Sequence, residues 1–194
     1  MPKTLSRADV EAFRTRLCNV AEKLFAAHGP DGVTLREMAD ALGVSSMTPY
    51  RYFKDKDAIL AAVRTRAFNR FAEAMETARS QPQPRSGNAY LDFALANPAA
   101  YRLMFDVSQP TFARYPELVQ AMDRARRTMS DGLRDLAAQG RFQGDVDLAG
   151  YVYWSSMHGA VMLELAGLLD GSKLDARKIA KPAIDALGKH FGIT

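Results

Sequence analysis

Apolar side chains in this chain recur every three or four residues and almost nowhere every second one. Phe13, Leu17, Val20 and Leu24 stand at spacings of 4, 3 and 4, and Ile59, Val63, Ala67, Phe71 and Met75 repeat every four. A period near 3.6 places each set along one stripe of a helix. Alternating runs of Val, Ile and Thr, the mark of a half-buried strand, are absent. The chain therefore reads as all-α, with an N-terminal three-helix domain joined to a larger C-terminal helical bundle. Its 194 residues, 47% apolar and 25% charged, suffice for one or two domains with a real core.

Composition excludes several classes. No stretch approaches the ~18 uninterrupted apolar residues of a membrane span, since the greasiest run, 161–169, carries Glu164. Asp9, Glu11 and Glu22 interrupt the N-terminus, which lacks the apolar core of a secretory signal. The single cysteine, Cys18, allows neither an intrachain disulfide nor a cysteine-based zinc cage. A cytoplasmic protein with no metal site and no cofactor is expected. Twenty-six basic against 22 acidic residues give a net charge of +4, which permits a polyanionic partner without arguing for one.

Helix boundaries are well marked. The first helix is expected over 9–28, stopped by Gly29-Pro30-Asp31-Gly32. Thr34 and Glu37 form a T-x-x-E capping box, with Val33 and Met38 as its hydrophobic staple, so a short helix runs from there to Leu42-Gly43. Ser45 is a good N-cap for another short helix, and Asp55 caps a long one reaching Arg79. Ser80–Gly87, with two prolines, is the clearest loop. Helices are then expected over 88–96, 98–107, 116–139, 145–169 and 175–191. The natural division is a domain of residues 1–56 and a second of residues 57–194.

Two short helices about the tight turn Leu42-Gly43-Val44 have the outline of a helix-turn-helix. Small Ala39 and Gly43 permit close crossing, and Leu35, Met38, Leu42, Val44 and Phe53 supply a small core. Ser45, Ser46, Met47, Thr48, Tyr50 and Arg51 remain as an outward row. Hydroxyls can meet base edges, and a methionine can meet a thymine methyl, if the helix enters a major groove. Arg36 faces the same side. Lys54 and Lys56 stand at the next helix start, where free N–H groups also attract phosphate. Pro49 lacks an N–H within this second helix and is expected to be tolerated there.

Residues 34–60, TLREMADALGVSSMTPYRYFKDKDAIL, resemble the DNA-binding signature of the tetracycline-repressor (TetR) family, and 21–29, AEKLFAAHG, resemble that family's first helix. The resemblance covers roughly residues 10–65. It implies a ligand-responsive repressor that binds a pseudo-palindromic operator as a homodimer. On the family pattern Thr34, Arg36, Ser46, Thr48, Tyr50 and Lys56 map to DNA-contacting positions. Residues 97–106, NPAAYRLMFD, and Trp154-x-x-x-His158-Gly159 resemble the C-terminal domain of one subgroup.

The helix expected over 145–169 is apolar on nearly all sides. One face is Leu148, Val152, Ser155, Gly159, Met162 and Ala166; the other is Tyr151, Trp154, His158, Val161 and Leu165. A helix apolar all round is buried on both sides. One side is therefore expected to meet its own subunit. The other, together with helix 175–191, would meet a second copy. A small apolar or aromatic effector would be lined by Phe71, Met75, Phe93, Tyr101, Met104, Phe105, Met122, Trp154 and His158, with adaptable methionines suiting an irregular cavity. No nucleotide, zinc-protease or serine-hydrolase motif is present, so no enzyme is expected. The alternative left open is a helical ligand-binding or dimerisation protein whose DNA-binding segment is vestigial.

Overall fold

A computed structural model describes residues 6–81, 86–106 and 112–193. Among the described residues eight α-helices run in order: α1 (Arg7–His28), α2 (Leu35–Leu42), α3 (Lys56–Arg79), α4 (Ser86–Ala96), α5 (Pro98–Met104), α6 (Pro116–Ala138), α7 (Val146–Leu165) and α8 (Ala176–His190). Single 3₁₀ turns occupy Pro49–Arg51 and Phe112–Arg114. No strand occurs among the described residues.

Local chemistry sets most of these ends. Ser6 and Asp9 form a capping box at α1, two residues earlier than expected. The Asp145 carboxylate accepts from the N–H groups of Asp147 and Leu148 at 2.8 and 3.0 Å, and Asp175 accepts from Lys178 at 2.8 Å. Each satisfies donors that a helix start leaves orphaned. α7 stops at Leu165 and not at 169, because Gly167 turns left-handed at φ 72°. α5 ends at Met104; residue 107, its expected end, lies outside the described residues, as do 82–85 of the loop before α4.

The chain divides into two compact units, Met1–Phe68 with Ala99–Ala121, and Asn69–Pro98 with Met122–Thr194. α3 supplies residues 56–68 to the first and 69–79 to the second. The first unit is built on Leu17, Phe25, Val33, Met38, Phe53, Ile59 and Val63, and Leu103 of α5 completes that core. Full burial of such side chains contributes about 1.5–3 kcal/mol each. In the second unit α7 packs on α4 and α8. One of its cores joins Leu133, Phe142, Ala149 and Phe191, the two phenylalanine rings stacking at 5.3 Å. A Cβ at Gly150 would collide with the Ser130 hydroxyl, so this is a point where α7 lies tightly on α6.

Candidate nucleic-acid interface

The expected helix-turn-helix forms, but its second element is not an α-helix. α2 opens as predicted. The Thr34 hydroxyl oxygen accepts from the Glu37 N–H at 3.2 Å, while the Glu37 carboxylate accepts from the Thr34 N–H at 2.7 Å and its hydroxyl at 2.8 Å. Those bonds hold the Glu37 carboxyl below the usual range. α2 closes at Gly43, left-handed at φ 67° and ψ 34°. Its N–H returns to Asp40 and that of Val44 to Ala39, each at 3.0 Å, a Schellman motif that only a residue free at positive φ accommodates easily.

Beyond it, the Ser45 carbonyl accepts from Thr48 at 2.8 Å, that of Thr48 from Arg51 at 3.1 Å, and that of Pro49 from both Tyr52 and Phe53 at 3.0 Å. In an α-helix the Ser45 carbonyl would receive the N–H of residue 49. Proline has none, so the bond passes to Thr48 and the segment tightens into a 3₁₀ turn. Pro49 is accommodated by turning its ring inward, where it is buried. Met47 and Tyr50 stand 66% and 52% exposed, with Ser45, Ser46 and Arg51 exposed and Thr48 half-buried beside them. The row expected from sequence is therefore displayed together, on a turn.

Residues outside the motif fix this turn. The Arg14 guanidinium of α1 donates to the Tyr52 carbonyl at 2.7 Å and lies 4.1 Å from the centroid of the Phe53 ring. Phe13 stacks on Tyr52 with centroids 4.2 Å apart. Phe13 was legible as part of an apolar stripe; nothing in the sequence singled out Arg14. Lys56, expected at a phosphate, donates from Nζ to the Pro30 carbonyl at 2.7 Å, which ties the α1–α2 loop to the start of α3. An ammonium has three donors, so this bond leaves two. Thr34 and Arg36 are exposed, and Arg36 lies 3.9 Å from Asp40, a surface pair of small energetic weight.

The first unit also contains a contact that sequence reasoning missed. Arg64 of α3 is buried and donates from Nη2 to the Met104 carbonyl at the end of α5, at 2.8 Å. Burial pulls its pKa down to about 10, partly opposed by the charge of Asp106. Phe105 meets Phe68 edge-on at 5.9 Å and Tyr101 at 4.9 Å.

The nine expected effector residues fall in both units. Tyr101, Met104 and Phe105 belong to the first unit, and Phe71, Met75, Phe93, Met122, Trp154 and His158 to the second. Phe71 packs edge-on against Tyr90 and Phe93, both at 5.3 Å, and the Trp154 indole N–H donates to the Tyr90 hydroxyl at 3.1 Å. His158 is half-buried, which lowers its pKa. A cavity of about 950 Å³ in the second unit and one of about 340 Å³ in the first are lined by none of the nine.

α7 leaves one face uncovered. Leu148 and Tyr151 are more than half exposed, and Ser155, Gly159, Met162 and Leu163 continue the face. Tyr151, grouped from sequence with Trp154, stacks on the Trp154 ring with centroids 6.1 Å apart and is itself exposed beside Leu148.

Residues 84–187 match the model of the tetracyclin repressor-like C-terminal domain, and residues 17–63 that of bacterial regulatory proteins of the tetR family. The chain belongs to the TetR family, a DNA-binding transcriptional regulator with a helix-turn-helix. It is 22% identical over 192 residues to the HTH-type transcriptional regulator Rv1816 of Mycobacterium tuberculosis, covering 81% of this chain and 82% of that one. It is 26% identical over 143 residues to the HTH-type transcriptional repressor KstR2 of Mycolicibacterium smegmatis, covering 70% of each. Its fold matches that of a protein of unknown function from Rhodococcus sp. RHA1 with a TM-score of 0.80, 24% identity and 99% of both chains covered.

Proposed function

We propose that the chain is a ligand-responsive repressor that binds a pseudo-palindromic operator as a homodimer and acts in the cytoplasm. Residues 1–56 serve as the DNA-binding domain and residues 57–194 as the effector-binding and dimerisation domain. We assign it no catalytic activity. The observation that carries the reading is the exposed row from Ser45 to Arg51 over a closed core, with Met47 and Tyr50 outermost. Ser45, Ser46, Met47 and Thr48 meet base edges and thymine methyls. Thr34, Arg36, Tyr50, Arg51 and Lys56 meet phosphates, fixing the register. The name of the KstR2 relative, a transcriptional repressor, supports the sign of regulation.

The uncovered apolar face of α7 supports the dimer. Burying Leu148, Tyr151, Met162 and Leu163 against the same face of a second copy, with α8 alongside, removes large apolar groups from water. Two reading turns then address two half-sites. Effector binding is assigned to Phe71, Met75, Phe93, Tyr101, Met104, Phe105, Met122, Trp154 and His158, whose aromatic and sulfur-bearing side chains suit a small apolar or aromatic molecule.

Selection of bound fragments from genomic DNA tests the proposal. Enrichment of a short inverted repeat supports it. Capture that is only salt-sensitive and blind to sequence contradicts it and favours a ligand-binding or dimerisation protein with a vestigial head.

A further inference from the structure

The 950 Å³ cavity of the second unit lies among α6, α7, α8 and Ile193, and none of the residues assigned above to the effector lines it. Its volume is that of a site for a drug-sized ligand. Met129, Leu133, Leu136, Met157, Ile184 and Ile193 give it an apolar wall. Arg79, Arg141 and Lys189 face two carboxylates there, Asp135 and Asp185. Both carboxylates are already engaged by cations: Arg79 lies 3.1 Å from Asp135, and Lys181, outside the lining, 2.7 Å from Asp185. Arg79 is shared with Asp131, outside the lining, also at 3.1 Å, and by count the lining holds three cations against two carboxylates.

Two helix-interior glycines also line the cavity, Gly132 of α6 and Gly188 of α8. Glycine inside a helix costs about 0.5–1 kcal/mol relative to alanine. Neither position needs it for packing or backbone angle. A Cβ at Gly132 would meet nothing within 4 Å, and one at Gly188 only the Tyr153 hydroxyl, at an ordinary 3.6 Å. What the missing side chains preserve is open volume.

We propose that this cavity is a second ligand site, distinct from the effector residues, that takes an amphipathic organic anion. An aromatic or aliphatic body lies against Met129, Leu133, Met157 and Ile184, and an anionic group is held by Lys189, with the Tyr153 hydroxyl as a further polar contact. Charge-assisted bonds of this kind are the strong ones.

The test uses two fluorescent probes of the same shape, anilinonaphthalene sulfonate and the uncharged phenylnaphthylamine, titrated into the full chain. The sulfonate is expected to bind saturably and about tenfold more tightly than the amine. Gly132→Leu should weaken it by about tenfold or more by filling the volume, and Lys189→Glu by a similar factor through charge. Lys173→Glu, an exposed charge reversal outside the lining, should leave it unchanged. Circular dichroism and sedimentation establish that each variant keeps its fold and assembly. Should Gly132→Leu misfold, exposed Lys189→Glu decides alone. Absence of saturable binding, equal affinity for both probes, or sulfonate binding that neither variant weakens would overturn the proposal. So would a crosslink from a probe at Gly132 to a second copy of the chain, since the cavity would then be filled by protein.

Discussion

The turn at Ser45–Arg51 and the face of α7 through Leu148 and Gly159 are both uncovered in a single chain, yet they are made in opposite ways. The turn exposes hydroxyls and a guanidinium beside Met47 and Tyr50, and bonds hold it: a capping box, a Schellman motif and the Arg14 clamp on Tyr52 and Phe53. The α7 face is apolar, and what holds it is the packing of the helix's other sides against α4 and α8. Exposure alone names no partner. Hydrogen-bonding groups in a fixed geometry suit the donors and acceptors of base edges, whereas leucine, tyrosine and methionine around a glycine suit a copy of themselves.

The strongest way to break this contrast is Gly159→Arg. A Cβ there meets nothing within 4 Å in one chain, so the subunit keeps its fold. A charge at the centre of the paired face should convert dimers to monomers in sedimentation and lower operator affinity by roughly 10²-fold or more, as bivalency is lost. A dimer that persists would move the interface off α7.

Next in size is Arg14→Ala, which touches no DNA in the proposal. Losing a charge-assisted bond to a carbonyl and a cation–π contact should destabilise the first unit by about 1–3 kcal/mol in denaturant unfolding. It should also loosen operator binding about tenfold. Unchanged affinity would mean the turn needs no clamp.

Tyr50→Phe and Thr48→Ala sharpen the division of labour within the turn. The first should weaken all DNA about equally and reduce the slope of log K against log salt, as lost phosphate contacts do. The second should cost about 1–3 kcal/mol of discrimination at one or two base pairs. A change of base preference from Tyr50→Phe, or a uniform loss from Thr48→Ala, would reverse those roles.

The smallest effect concerns pH. Burial lowers the His158 pKa, so the unfolded chain takes up the proton first as pH falls. The contribution of the neutral imidazole to stability is whole above its unfolded pKa of about 6.5. It is lost progressively as pH drops from there toward the depressed folded value. Thermal melts of His158→Gln should therefore decline less between about pH 6.5 and 5 than those of the parent chain.

What could be read in advance was local. The Thr34–Glu37 box, the Gly43 turn and the Asp55 cap, whose carboxylate accepts from the Ala58 N–H at 2.8 Å, each join residues within a few positions, so composition and spacing suffice. Pro49 was visible too, but the 3₁₀ turn follows from where the Ser45 carbonyl finds its donor, which needs the surrounding chain. Arg14 reaching Tyr52, Lys56 reaching Pro30 and Arg64 reaching Met104 span 38, 26 and 40 residues, and no periodic pattern reports such pairs. For the same reason Leu103 gave no sign that it would enter the core of the first unit. Cavities are harder still. Methionines and aromatics mark where volume is adaptable, whereas the open space at Gly132 and Gly188 depends on how three helices pack.

Methylation interference on the selected operator tests the central claim most directly, because guanine N7 lies in the major groove. Interference should appear in two patches related by the operator's symmetry and separated by a whole number of helical turns, and Thr48→Ala should relieve it at the same bases in each half. Interference that is absent, or that Thr48→Ala leaves untouched in both halves, would contradict the account of the exposed turn as the reading element.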